Sequence, residues 1–384
     1  MRAYTLIFAF GLVACAPSAC LQPSAVVQAA IVETNPPRPS EPSFTLSLHV
    51  QTADYIRFAA SPETTYVFRT PAKNPNDTFL MAIGANGLED RTALVESAGA
   101  PGQASLVYYA KVEDTEIVVA ADSRHRVPMF TILRRTGDSW TRIHHSNGSF
   151  GSLIRAPSGQ LVIAPYFSSR FIDMQGKPVL GAPERTTRSV ANGGDGRVIV
   201  VATGENDEPP GGLEARDVRN PKVLVWDRAG THVEELPVRA SCKADPERAL
   251  AAGPRTYVVG NRRCAEKDEA QMYVATFDGN GWSEVGPDDA LPRANLVMGG
   301  VDGALYALVP NGAKGANVDK ELWRRSPKGA WTHIPLPDSS GCYGHDIAAD
   351  RRGLWLIQAC KNGDETRYRL YRIAPVPANG GQVL

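Results

Sequence analysis

The chain has 384 residues, with 41 Lys and Arg against 41 Asp and Glu, so its formal net charge is zero. Hydrophobic residues make up 43%, charged residues 21%, and there are 35 Gly and 29 Pro. These values exclude a polytopic membrane protein, a coiled coil and an acidic disordered chain, and the charge balance argues against a nucleic-acid binder.

The N-terminus, Met1-Arg2-Ala3-Tyr4, carries one positive charge and is followed by an apolar run over 5–14. That run is too short to span a bilayer and suits the apolar region of a signal peptide. It ends in Leu12-Val13-Ala14-Cys15. The box resembles the lipobox of bacterial lipoproteins. The resemblance implies that 1–14 is a signal peptide and that Cys15 is acylated and begins the mature chain. It further implies export and anchoring to a membrane of the bacterial cell envelope, on the periplasmic side or at the cell surface. Cys20, in Pro17-Ser18-Ala19-Cys20, lacks the aliphatic position of the box. The alternative is an ordinary secretory peptide cut near Ala19 or Ala25. Within 15–43, Pro36, Pro37, Pro39 and Pro42 lie among polar residues and predict an extended tether.

From 44 to 376 one unit recurs: a turn carrying Gly or polar residues, then a short β-rich run. Examples are Gly194-Asp195-Gly196 before Val198-Ile199-Val200, and Asp302-Gly303 before Leu305-Tyr306-Ala307-Leu308. The runs begin at 66, 117, 161, 198, 257, 305 and 354. Their mean spacing, about 48 residues, is that of a four-stranded propeller blade. The expected fold is therefore all-β, a single β-propeller of seven blades, with six as the alternative. Trp strands after tight turns recur at Gly137-Asp138-Ser139-Trp140, Gly279-Asn280-Gly281-Trp282 and Lys328-Gly329-Ala330-Trp331. The last unit is one strand short, and the alternating segment 44–50 precedes the first full unit. The segment 44–50 is expected to close the ring as the outer strand of the last blade, which removes an open edge. Residues 377–384 fall beyond the repeat and read as a flexible tail.

Four cysteines lie in the body: Cys242, Cys264, Cys342 and Cys360. An even number in an exported chain reads as disulfides. Cys242 and Cys342 stand at the start of an innermost strand, and Cys264 and Cys360 follow the second strand of the same units. The repeat thus predicts Cys242–Cys264 and Cys342–Cys360, each closing a loop of about 20 residues and contributing roughly 3 kcal/mol. No C-x-x-C pair or clustered His points to zinc.

The chain contains no G-x-S-x-G, H-E-x-x-H, P-loop or EF-hand motif. Gly194-Asp195-Gly196 lacks the third glycine and following helix of a dinucleotide fingerprint and reads as a turn. Ser326-Pro327-Lys328-Gly329-Ala330-Trp331 resembles a degenerate Asp-box, the S-x-D-x-G-x-x-W hairpin of sialidases and related propellers, with the Asp missing and the Gly-to-Trp spacing short. In that family the box is a structural turn, and the catalytic arginine triad, Tyr–Glu pair and acid Asp have no matching motif here.

Candidate binding residues are Arg124, His125, Arg126, Arg262 and Arg263, which can pair with carboxylate or phosphate from loops. His345 and Asp346 are expected on the innermost strand of the last blade, facing the channel, as a structural pair or a general base. Glu205, Asp207 and Glu208, with Glu214 and Asp217, offer oxygen ligands to Ca²⁺ but read first as a solvated acidic loop. His144-His145 reads as surface. No cofactor is expected. The function expected is a lipid-anchored binding or scaffolding module that meets other envelope proteins or glycans. The alternative is a glycosidase-like or lyase-like enzyme acting on carbohydrate or a small molecule in the central funnel, on fold analogy alone.

Overall fold

The computed structural model describes residues 44–59, 65–73, 78–92, 105–112, 114–122, 129–137, 139–146, 152–164, 170–202, 221–265, 269–285, 291, 294, 296–310, 320–327, 329, 331–337, 341–350 and 352–375. Its strands form seven antiparallel sheets. Blade 1 is β2 (Tyr55–Ala59), β3 (Tyr66–Thr70), β4 (Phe79–Gly84) and β5 (Gly87–Asp90). Blade 2 is β6 (Ser105–Val112), β7 (Thr115–Asp122), β8 (Met129–Thr136) and β9 (Ser139–Ser146). Blade 3 is β10 (Ser152–Arg155), β11 (Leu161–Ala164) and the short β12 (Ile172–Asp173). Blade 4 is β13 (Thr187–Asn192), β14 (Val198–Ala202), β15 (Lys222–Asp227) and β16 (Gly230–Glu235). Blade 5 is β17 (Lys243–Ala252), β18 (Arg255–Arg263), β19 (Gln271–Phe277) and β20 (Trp282–Glu284). Blade 6 is β21 (Leu296–Gly299), β22 (Leu305–Pro310), β23 (Lys320–Arg325) and β24 (Trp331–Ile334). Blade 7 is β25 (Cys342–Asp350), β26 (Gly353–Asn362), β27 (Glu365–Pro375) and, as its outer strand, β1 (Phe44–Thr52).

The seven apolar runs are the second strands of the blades. Each is covered on both faces, by its own sheet's neighbours in the two adjoining seams, so it is apolar without alternation. Val198, Ile199, Val200 and Val201 are all buried, as are Leu305 to Leu308. Ile199 and Val201 pack toward blade 5, while Val198 and Val200 pack toward blade 3. Blade 3 carries only a rudimentary fourth strand: Val179 N–H bonds Phe171 O at 2.9 Å and Ile172 bridges Pro178.

Ring closure extends two residues beyond the predicted segment. β1 pairs with β27 from Phe44↔Pro375 to Thr52↔Tyr368, with one irregularity between Leu48 and Val50. The antiparallel pairing puts Phe44 at the rim that carries the first-to-second-strand turns, and Thr52 at the opposite rim. The two rims differ. On the first, two-residue connections dominate: 113–114, 253–254 and 351–352 join first to second strands, and 85–86 and 228–229 join third to fourth. Gly196, at φ +83°, supplies the left-handed position of a turn on this rim, and its N–H bonds Gly193 O at 3.2 Å. The opposite rim carries the long connections, 71–78, 203–221 and 311–319 among them. Blade 7 is the exception there: 363–364 joins β26 to β27, and 53–54 joins β1 to β2.

The innermost strands are tied to one another by side chains that reach the next blade's backbone. Asp346 accepts from Phe58 N–H at 2.8 Å, Arg57 donates to Leu106 O at 2.9 Å, and the Tyr108 hydroxyl accepts from Leu153 N–H at 3.2 Å. Asn192 both accepts from Arg155 N–H and donates to Arg155 O. Ser189 accepts from Ala249 N–H at 3.1 Å. Between blades 5 and 6 the backbones themselves close up. A Cβ on Gly299 would collide with Ala251 O, so only glycine fits. These bonds satisfy groups at an inner edge that no strand covers.

Candidate functional site

Cys15, Arg124, His125, Arg126, Glu205, Asp207 and Glu208 lie outside the described residues. The two disulfides have the predicted partners. Cys342–Cys360 links the first strand of blade 7 to the second, and Cys242–Cys264 joins the residues that flank β17 and β18 in blade 5, each with Cα atoms 3.9 Å apart. Cys342 and Cys360 stand directly opposite in the ladder. Both lie at the rim of long connections. Gly194-Asp195-Gly196 is the β13–β14 turn, and Ser326 to Trp331 is the β23–β24 turn, with Gly329 N–H on Ser326 O at 3.0 Å. His145 is exposed and bonds Thr131 Oγ1 at 2.9 Å, while His144 is half-buried.

Arg262 departs from its expected place. It is 2% exposed on β18, which runs on to Arg263, so it is no loop tip. Its guanidinium meets Glu284 Oε1 at 2.8 Å and Gln271 Oε1 at 3.1 Å. The side chain lies against the two outer strands, where Glu284 neutralises it and Gln271 accepts a hydrogen bond from it. Arg263 is exposed.

The surroundings of blade 5 are sealed in the same way. Arg188 of blade 4 pairs with Asp245 at 2.7 Å and donates to Pro246 O at 3.0 Å. A bulge between Pro246 and Arg248 pushes out Glu247, which accepts from Asn261 Nδ2 at 2.6 Å. The small recess beside it is lined by Glu247, Arg248, Asn261, Met272, Ala294 and Val297.

Blade 7 has the same bulge with a different outcome. The ladder shifts between Gly344 and Asp346, leaving His345 as the extra residue. Bulges re-aim side chains in this way. The His345 ring meets Tyr55 at 5.5 Å, Tyr368 at 5.6 Å and Tyr343 at 6.3 Å between centroids. Tyr55 and Tyr368 meet edge to face at 5.4 Å. Tyr343 and Tyr368 share one face of blade 7 because both stand opposite Ala359. Tyr55 comes from blade 1 and is 38% exposed. Lys320 Nζ, from blade 6, lies 5.9 Å from the Tyr343 ring.

Electrostatics follow from this burial. Burial, and then the Lys320 charge, push the His345 imidazole below its ordinary value, which favours the uncharged ring. Burial also pulls Lys320 down, against the opposing charge of Asp346. Asp346 is pushed up to about 6 by burial, against the N–H groups of Phe58 and Ile347 and the charges of Arg57 and Lys320. Burial and the neighbouring phenols of Tyr343 and Tyr55 raise Tyr368. His345 and Asp346 therefore do not form a pair. Asp346 turns into the seam, with Oδ2 on Phe58 N–H and Oδ1 on Ile347 N–H at 2.9 Å, while His345 stands among the tyrosines. Tyr55, Tyr343, Tyr368 and Lys320 were not singled out from the sequence. The one available signal was the alternation Tyr343, His345 just after Cys342.

Among known proteins, no family model and no curated protein matches the chain. Solved structures do match. The β-propeller domain of the Trilobed protease from Pyrococcus furiosus, described as having an open velcro topology, has a TM-score of 0.51 at 11% identity, over 84% of this chain and 95% of that one. A prolyl endopeptidase has a TM-score of 0.48 at 12% identity, and the chain spans 45% of its length while 80% of the chain is covered. The α-L-arabinanase of Penicillium chrysogenum has a TM-score of 0.41 at 10% identity, over 85% of this chain and 98% of that one. The chain is an all-β, seven-bladed propeller, similar in fold to the Trilobed protease propeller domain and closed here by β1 on β27.

Proposed function

We propose that the protein is a lipid-anchored binding module of the bacterial cell envelope. One observation carries the choice of binding over catalysis. Arg57, Arg188, Ser189, Asn192 and Asp346, polar side chains of the innermost strands, are consumed in bonds to adjoining blades. Groups used in this way hold the ring and are not poised to transfer protons at a substrate. The address is supported by the box Leu12-Val13-Ala14-Cys15 and by the two disulfides, which suit an oxidising compartment. The long connections gather at one rim, opposite the tight turns, and loops held on a rigid scaffold suit a partner.

The test uses the full chain in a bacterium that processes lipoproteins, with isolated envelope as the target. The mature protein is expected in the membrane fraction, and Cys15→Ala is expected in the soluble fraction. Purified protein is expected to retain envelope material and to return it intact. Steady release of cleaved products, such as new reducing ends, would contradict the binding role. Unchanged membrane association of Cys15→Ala would contradict the anchor.

A further inference from the structure

The notch between blades 7, 1 and 6 has the composition of a ligand site. Three phenols from β2, β25 and β27 surround one imidazole at the rim of long connections. The hydroxyls of Tyr55, Tyr343 and Tyr368 make no hydrogen bond to any described residue, and Lys320 has no ion-pair partner among them. The nearby carboxylate, Asp346, has both oxygens committed to backbone N–H groups. The connections 53–54 and 363–364 are the shortest of this rim; Tyr55 is exposed, and Tyr343 and Tyr368 are half-buried. The support is stiff: Cys342–Cys360 clamps the strand pair immediately before Tyr343, and the bulge sets His345. Sites held on strands by cross-links and packing keep their geometry better than sites on loops.

We propose that this notch binds a carboxylated sugar. Phenol rings offer π surface to the C–H faces of a sugar, and their hydroxyls serve its ring hydroxyls. The uncharged His345 both donates and accepts. Lys320 is a compact cation with no ion pair among the described residues and suits a carboxylate. A cationic ligand is repelled by Lys320. A purely apolar ligand would strip water from three hydroxyls and an ammonium without replacing those bonds. The proposal names the ligand of the binding module proposed above and rests on that reading.

The test is titration of the full exported chain with a glucuronate oligosaccharide and with the same oligosaccharide after reduction of its carboxyls to alcohols. Binding is read by calorimetry and by shifts of the tyrosine resonances. The acidic sugar is expected to bind saturably and about tenfold more tightly than the reduced one, with affinity falling as salt rises. Lys320→Met is expected to lose that tenfold preference and the salt dependence, and Tyr343→Phe to weaken binding about threefold. Both variants are expected to melt like the parent, because neither the Lys320 ammonium nor the Tyr343 hydroxyl makes a hydrogen bond or ion pair to a described residue. No saturable binding of the acidic sugar, an unchanged preference in Lys320→Met, or equal binding of benzoate would overturn the proposal. Envelope retention separates the two readings. Retention without uronate binding overturns the sugar site alone, and failure of the parent chain to retain envelope material overturns the binding module itself.

Discussion

Blades 5 and 7 are built alike at the same rim and end differently. Each has a cross-strand disulfide followed within a few residues by a bulge in its innermost strand. In blade 5 the polar groups around that device are matched: Arg262 with Glu284, Glu247 with Asn261, and Arg188 with Asp245. In blade 7 the bulged His345 sits among tyrosines whose hydroxyls bond no described residue, beside Lys320, which makes no ion pair among the described residues. The same backbone device thus serves closure in one blade and exposure in the other. The difference teaches that a bulge and a disulfide mark a rigid position, and the partners decide whether it is structural or free to bind.

The largest expected effect lies at the closing seam, which blade 5 does not share. Asp350 is fully buried and accepts from Thr65 N–H at 2.9 Å, from Arg352 N–H at 2.8 Å and from Trp355 Nε1 at 3.3 Å. Asp350→Ala orphans these donors and is expected to cost about 4 kcal/mol in denaturant unfolding. A loss below about 1 kcal/mol would show that β1 on β27 closes the ring unaided.

Removal of either disulfide as a Cys→Ser pair is expected to cost about 3 kcal/mol, because the sequence separations, 22 and 18, are nearly equal. The two pairs should differ in binding alone: loss of Cys342–Cys360 is expected to loosen the notch, and loss of Cys242–Cys264 to leave ligand affinity unchanged. Arg262→Ala is expected to destabilise by about 2 kcal/mol, with Glu284 left half-desolvated. Arg262→Met together with Glu284→Gln is expected to recover most of it, since a buried pair is replaceable by packing.

The smallest effect is a pH dependence with two opposite limbs. Asp346, raised from 3.8 to about 6, holds its proton more tightly when folded. Its contribution to stability is present below pH 3.8 and is lost as pH rises through about 6. Asp350 is lowered: burial opposes, but Arg352 and the N–H of Thr65 prevail, so its contribution is present at neutral pH and lost as pH falls below its ordinary carboxylate range. The unfolding midpoint followed from about pH 2 to 8 in Asp346→Asn should lose the first limb and keep the second.

The fold was legible because the second strands are apolar on both faces, so runs such as Val198 to Val201 announce each blade directly. The cysteines fell in phase with those runs and chose their own partners. The seams were not legible. Asp346 bonds Phe58, and His345 meets Tyr55, across nearly the whole chain, and only ring closure brings them together. A bulge of one residue leaves no periodic trace, so His345 and Asp346 read as one motif although the backbone turns them to different neighbours. Arg262 read as a loop tip because its partners, Gln271 and Glu284, lie on strands three and four of the same blade. Its register opposite Gln271 in the β18–β19 ladder is what turns it inward.

The contrast between the two blades is tested most directly by uronate affinity in two variants, Lys320→Met of blade 6 at the blade 7 notch and Arg262→Met of blade 5. The expected result is an affinity about tenfold weaker in Lys320→Met and unchanged in Arg262→Met, even though Arg262→Met is the less stable protein. Equal affinities in both variants, or a loss confined to Arg262→Met, would contradict the assignment of blade 5 to closure and of the blade 7 notch to binding.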